Sequence, residues 1–169
     1  MGDTKDLENR EGLNKIKELA EETRICMMCT NLGKRPFETR PMGTQEVDEN
    51  GAIWFFSAMD SYKNEEIQND NRVQLIYSCP DKSHFMSVYG HAKIIKDREK
   101  TEELWNVFVK AWFQDGKDDP NLTLIKVQPE SAYYWDTKHG KMVSLIKIAI
   151  AAVTGKTMDG GVEGAIDIS

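Results

Sequence analysis

The sequence predicts an α+β domain that is mainly β: a six-stranded antiparallel barrel with flanking helices. Three observations carry that expectation. Short apolar runs rich in β-branched and aromatic residues recur behind turn signals, helical periodicity is confined to a few stretches, and no internal repeat or linker divides the 169 residues. A chain of this size can bury a full core without a metal or disulfide staple.

The elements follow in order. Leu13, Ile16, Leu19 and Ala20 fall at helical spacing in "EGLNKIKELAEET", which predicts an opening amphipathic helix over one side of the core. From Arg24 the pattern changes: "RICMMCT" is a short apolar run, "PFETRPM" carries two prolines that restrict it to an edge strand, and "GAIWFFSA" follows a "DENG" turn signal. "SYKNEEIQNDN" then reads as a helix with Ser61 as its N-cap, and "RVQLIYSC" returns to strand character. After the turn "CPDKS", "HFMSVYGHAKII" is a longer strand with a bulge at Gly90. Asp97 caps a continuous helix "REKTEELWNVFVKAWF", with Leu104, Val107, Phe108, Ala111 and Trp112 on its buried face. "LTLIKVQP" and "SAYYWDT" read as two further strands, and "KMVSLIKIAIAAVTG" as at least partly helical. Residues 1–155 thus form the folded domain, and 156–169 a glycine-rich tail, extended and ordered against a partner chain.

Composition excludes several classes. Hydrophobic residues make up 40% and charged residues 30%, as in ordinary globular proteins, and a net charge of −6 disfavours general attraction to nucleic acid or an anionic membrane. Any anion site has to be built locally. No apolar run approaches the roughly 20 residues that cross a bilayer, and "MGDTKDLENREGLNK" has no apolar signal core, so a cytoplasmic location is expected. Cys26, Cys29 and Cys79 are an odd number of thiols and fit a reducing compartment. No metal site is expected: Cys26 and Cys29 would face opposite sides of a strand, as would His84 and His91, and His139 stands apart. Neither a glycine-rich phosphate loop nor a nucleophile elbow is present, and catalytic residues stay unassigned.

The informative stretch is "FFSAMDSYKNEEI", where a strand hands over to a helix through small polar residues. A helix start leaves N–H groups without partners and carries partial positive charge, so it suits a phosphate, and Lys63 would add a full cation. Read on its own, the stretch fits a plain Ser61 cap with a solvated Lys63 better, since most helix caps bind no ligand. Arg40, in the proline-interrupted "FETRPM", could offer a planar fork to the same anion if strand pairing brings it to the same rim. Trp135 in "YYWDT" is either a core aromatic or the wall of a flat ligand.

Taken together, "TRPM", "IWFFSAMDSYKNEEIQNDNRVQLIY", "SVYGHAKI" and "PESAYYWD" resemble the pyridoxamine-phosphate-oxidase-like split-barrel flavoproteins, and within them the general stress protein 26 branch. The resemblance spans roughly residues 13–155. It implies a split β-barrel that binds FMN in a cleft between the subunits of a homodimer. By position, Arg40, Ser61 and Lys63 match the phosphate-binding residues, while Tyr62 stands where an arginine is common. Pro41 and Met42 would pass beside the ring or ribityl chain, Phe56 and Ser57 match a Tyr-Thr pair that meets the flavin, and Trp135 matches a late tryptophan reaching the cofactor from the partner. Lys141, Val143 and Leu145 replace the Arg-x-His-x-Arg pattern of the oxidases, so pyridoxamine phosphate oxidation is not expected. The implied function is an FMN-binding, stress-related oxidoreductase that exchanges electrons with an unknown small substrate or a nicotinamide, NADH or NADPH. The alternative is a flavin-binding storage or sensor module without turnover. A barrel holding deazaflavin or haem is a third and weaker reading, because the chain is acidic and lacks a placed histidine.

Overall fold

A computed structural model of the chain describes residues 3–137 and 161–168. In chain order its elements are β1 (Asp3–Thr4), β2 (Leu7–Glu8), α1 (Asn9–Thr23), β3 (Ile25–Thr30), β4 (Glu38–Gly43), β5 (Glu46–Val47), β6 (Ile53–Ala58), α2 (Tyr62–Asn69), β7 (Arg72–Cys79), β8 (His84–Ile95), α3 (Arg98–Leu104), α4 (Val107–Lys110), β9 (Leu122–Thr137) and β10 (Gly161–Asp167). The strands form one mixed sheet of ten among the described residues, in place of the six antiparallel strands predicted. Most of the difference lies in β1, β2 and β5, which are two residues long and carry no periodicity to read.

The sheet runs β4, β3, β7, β8, β9 and β10 through antiparallel ladders, and β1 and β2 add to β10 in parallel. β6 pairs with the first half of β9, and β5 with β6. The ladder does not close into the predicted barrel. β4 and β6 share no pairing, and the chain itself bridges the gap through Gln45, whose N–H donates to the Trp54 carbonyl at 2.9 Å.

The bulge predicted at Gly90 is present, and it explains why two expected strands are one. β8 and β9 shift register between Tyr89 and Gly90, with Gly90 opposite Pro129. A proline is tolerated there because the bulge already interrupts the ladder. β9 therefore continues through Pro129 for 16 residues and changes partner as it goes, with β6 beside Leu122–Val127 and β10 beside Ser131–Thr137.

The core fills the concave side. Met28, Phe55, Leu75, Tyr77, Val88, Ile125 and Tyr134 are fully buried, and α1 covers them with Ile16, Leu19 and Ala20 as its spacing predicts. The C-terminal residues are extended as expected, but residues 161–167 pair within their own chain, and Ile166 is buried in the same core. The apolar stretch 141–155 lies outside the described residues.

The predicted long helix after Asp97 is corrected. Asp97 does cap it, accepting from the Lys100 N–H at 2.9 Å, but α3 stops at Leu104 and Trp105 is extended. Asn106 then caps a new turn, accepting from the N–H groups of Phe108 and Val109 at 3.0 and 3.2 Å. This restart resets the helical phase. Val109 and Phe113 turn inward onto Phe56, Ala58 and Leu122, while Val107, Phe108 and Trp112 face solvent. Asn106 also donates to the Gln45 side chain at 2.9 Å. Asn106→Ala should cost about 1–2 kcal/mol, read as a lowered denaturant midpoint with an unchanged slope; an unaltered midpoint would contradict the capping role.

Candidate functional site

The candidate site is built where β6 hands over to α2, beside the edge strand β4. Three buried polar side chains pin that junction. The Ser57 hydroxyl donates to Asn64 Oδ1 at 2.6 Å, Asn64 Nδ2 donates to Thr123 Oγ1 at 3.0 Å, and the Thr123 hydroxyl donates to the Ser57 carbonyl at 3.0 Å. Because each buried donor finds an acceptor, the first turn of α2 is fixed against β6 and β9 with no buried side-chain polar atom left unpaired among the described residues.

Ser61 occupies the N-cap position as expected, but its side chain makes no capping hydrogen bond. Its hydroxyl donates back to the Ala58 carbonyl at 2.7 Å and sits 3.3 Å from the Ser57 hydroxyl. The Asn64 and Glu65 N–H groups reach the Ser61 carbonyl at 3.0 and 3.4 Å. The backbone N–H groups of Tyr62 and Lys63 have no partner among the described residues. Two aligned, unfilled donors therefore stand at the positive end of an eight-residue helix.

Arg40 and Lys63 are brought together at this end. Burial pushes the Lys63 ammonium below its usual pKa, and the nearby Arg40 guanidinium pushes it the same way, against the opposing pull of Asp60 and Glu66. Arg40 is not free, however. Its Nη2 donates to Glu66 Oε2 at 2.7 Å, its Nη1 donates to Thr30 Oγ1 at 2.5 Å, and the Thr30 hydroxyl donates to the same Glu66 oxygen at 2.5 Å. The Arg40 and Glu66 side chains keep only 22% and 16% of their exposure, so this is a held cluster and not a pair of waving surface charges.

The other predicted residues divide by sheet face. Met42 shares the inner face with Arg40 and is buried in the core, while Pro41 lies on the outer face opposite Met27. Phe56 turns away from Ser57 into the α4 cluster, with its ring 6.1 Å from Trp105 edge-on and 6.4 Å from Phe113. Tyr62 is 84% exposed. Trp135 lies on the outer face of β9, its ring tilted against Tyr133 with centroids 4.8 Å apart, and is paired with Phe85. From β4 to β9 there are four strand spacings, about 19 Å along the sheet. Trp135 and Arg40 of one chain therefore stand four strands apart on opposite faces of the sheet.

The outer face between them is apolar and open. Met27, Ile76, Phe85 and Trp135 are 40%, 43%, 37% and 42% exposed on adjacent strands, with Ile25 and Pro41 beside them. Two cavities, of about 470 and 640 Å³, lie elsewhere against α1, and neither is lined by Arg40 or Lys63. Cys26 and Cys29 are both buried, and burial pushes the Cys26 thiol up to about 12, which removes it as a nucleophile near neutral pH. His84 is buried beside Thr23 and Glu22, and His91 is exposed beside Glu130.

Residues 11–159 match the family model described as pyridoxamine 5'-phosphate oxidase like. The chain belongs to the pyridoxamine 5'-phosphate oxidase-like family. Within this family it is similar to general stress protein 26 of Bacillus subtilis, at 33% identity over 96 residues that cover 55% of this chain and 68% of that protein. It is also similar to protein bli-3 of Neurospora crassa, at 23% identity over 154 residues, 85% of this chain and 74% of that one. Among solved structures, one described as a general stress protein 26 from Jannaschia sp. CCS1 superposes with a TM-score of 0.80 at 26% identity, covering 91% of this chain and 96% of its own. A general stress FMN/FAD binding protein from Xanthomonas citri gives 0.64 at 28% identity, covering 74% and 87%.

Lys141, Val143 and Leu145 lie outside the described residues. Sequence reasoning missed Thr30, Asn64, Glu66 and Thr123. Glu66 had a readable signal, because it follows Lys63 by three positions and so lies one turn along the same helix face. Thr30 and Thr123 had none, since only strand register brings them to the junction.

Proposed function

We propose that this family member binds FMN as a homodimer and works as a flavin-dependent oxidoreductase on a small substrate or a nicotinamide. One observation carries the reading: two cations and two unfilled backbone N–H groups converge on a single rim, while the aromatic residue expected beside the flavin stands four strands along the sheet, on the opposite face. An anion fits the rim, since Arg40, Lys63 and the N–H groups of Tyr62 and Lys63 supply only donors. A flat ring needs a wall, and a second copy would bring Trp135 across to supply one. The half-exposed apolar band from Pro41 to Trp135 gives that copy a surface to cover. The Xanthomonas citri protein described as FMN/FAD binding supports the choice of ligand.

Bound FMN supplies reversible redox chemistry at its ring. The chain's part is to grip the phosphate at Arg40 and Lys63, orient it along the first turn of α2, and exclude water from the ring with the Pro41 backbone and the partner's aromatic face. A second reading, a flavin-carrying module without turnover, is favoured by the partial neutralisation of Arg40 by Glu66. Mixing the FMN-loaded protein with NADH or NADPH separates the two, since the carrier gives no rapid bleaching of the flavin.

Subunit mixing tests the seam. Arg40→Ala and Trp135→Ala should each weaken FMN binding alone. Co-refolded together they should regain one normal site of the two in each mixed dimer, because one seam then has both native residues. If the mixture binds no better than the average of its parents, the two-chain site is wrong.

A further inference from the structure

The cation that the proposed function assigns to the flavin phosphate already has an anion of its own. Glu66 Oε2 accepts two hydrogen bonds, from Arg40 Nη2 at 2.7 Å and from the Thr30 hydroxyl at 2.5 Å. The Glu66 carboxylate is mostly buried and sits one helical turn beyond Lys63. It does two opposed things. It holds the guanidinium in place and offsets the mutual repulsion of Arg40 and Lys63 when no anion is bound. It also cancels charge where an incoming phosphate would need it. With Asp60 close enough to act on Lys63, the two cations of the rim face two carboxylates.

Coulomb's law decides which role dominates binding. Orientation contributes through one charge-assisted hydrogen bond, which a neutral amide largely reproduces in shape. A full negative charge near a phosphate in a partly desolvated cluster acts over several ångströms and is only partly screened by salt. The repulsion is the larger effect.

We infer that Glu66 is a resident counter-anion of the phosphate subsite, one that competes with the ligand's phosphate for Arg40 and so sets how tightly the flavin is held. This rests on the proposed FMN site. The cluster is compact and preformed, which keeps the rim intact in the empty protein, and it makes the bound flavin exchangeable instead of permanently held.

The experiment compares FMN with riboflavin, which has the same ring and no phosphate, by quenching of flavin fluorescence with the full chain and with Glu66→Gln. The isosteric amide keeps an oxygen for Thr30 and Arg40 while removing the charge. Glu66→Gln should bind FMN at least about tenfold more tightly than the parent at low salt, with riboflavin affinity unchanged and a steeper loss of FMN affinity as salt is added. A structural defect would move both flavins together. Glu66→Ala should change the FMN to riboflavin ratio in the same direction and serves if the glutamine variant does not fold. An unchanged or lowered ratio in both variants overturns the counter-anion role while leaving the FMN site standing. No preference for FMN over riboflavin in either the parent or the variants overturns the FMN site itself, and the role of Glu66 with it.

Discussion

Arg40→Ala and Lys63→Ala should each lower FMN affinity by about thirtyfold, and the double variant by several hundredfold or more, since each removes a charge-assisted contact of about 2 kcal/mol. Riboflavin affinity should change little in either. The contrast follows from geometry: both side chains meet at the start of α2, and neither touches the apolar outer face where the ring would lie. Arg40→Ala also leaves Glu66 without its cation, so part of its loss reflects a new unpaired carboxylate facing the phosphate. Lys63 adds a pH signature. Its pKa is held below the usual lysine value by burial and by Arg40, and the anion binds the protonated form. FMN affinity should therefore fall as pH rises through that lowered pKa, below pH 10.5, and Lys63→Arg should abolish the alkaline loss. Equal affinities for the parent and the double variant, by equilibrium dialysis or fluorescence, would remove the phosphate assignment.

Gly90→Ala should destabilise the fold by roughly 3 kcal/mol. An added Cβ would stand 2.3 Å from the Gln128 carbonyl oxygen and 3.0 Å from the Pro129 Cα, all backbone atoms of the neighbouring strand that cannot rotate away. The position is also the corner at which β9 exchanges β6 for β10 as its second neighbour. A shift there would disturb both halves of the sheet, and the melting temperature should drop by about 6–12 °C. Gly33→Ala is the control, because the only atom within 4 Å of its added Cβ is the end of the Arg72 side chain, at 3.7 Å. If both variants melt with the parent, the close approach at the bulge is not a constraint.

Much of the fold was legible. The run of Phe55 to Leu75 reads correctly as strand, helix and strand, because its turn residues are local and its periods differ. Pro41 marked an edge strand and Gly90 a bulge, each for a reason contained in one residue's backbone chemistry. The failures share a cause. The buried face of "WNVFVKAWF" departs from its periodicity because Asn106 restarts the helix, and a two-residue interruption rotates every later side chain, so Phe113 is buried where the pattern predicts Trp112. The C-terminal residues 161–167 looked like a tail because their partners lie in β9 and near the N-terminus, far away in sequence.

By itself, the sequence determined most of the longer elements, the apolar faces of α1 and of the central strands, the presence of a helix start rich in donors, and the family likeness carried by the order of its motifs. Those are properties of neighbouring residues, set by backbone preference and by periods of two or 3.6 positions. Only the tertiary structure decided that Arg40 meets Glu66 across 26 positions, that Phe56 turns from the site into the α4 cluster, and that Trp135 stands four strands from the cations of its own chain. Strand register and helix phase settle such meetings, and both are cooperative outcomes of packing the whole core.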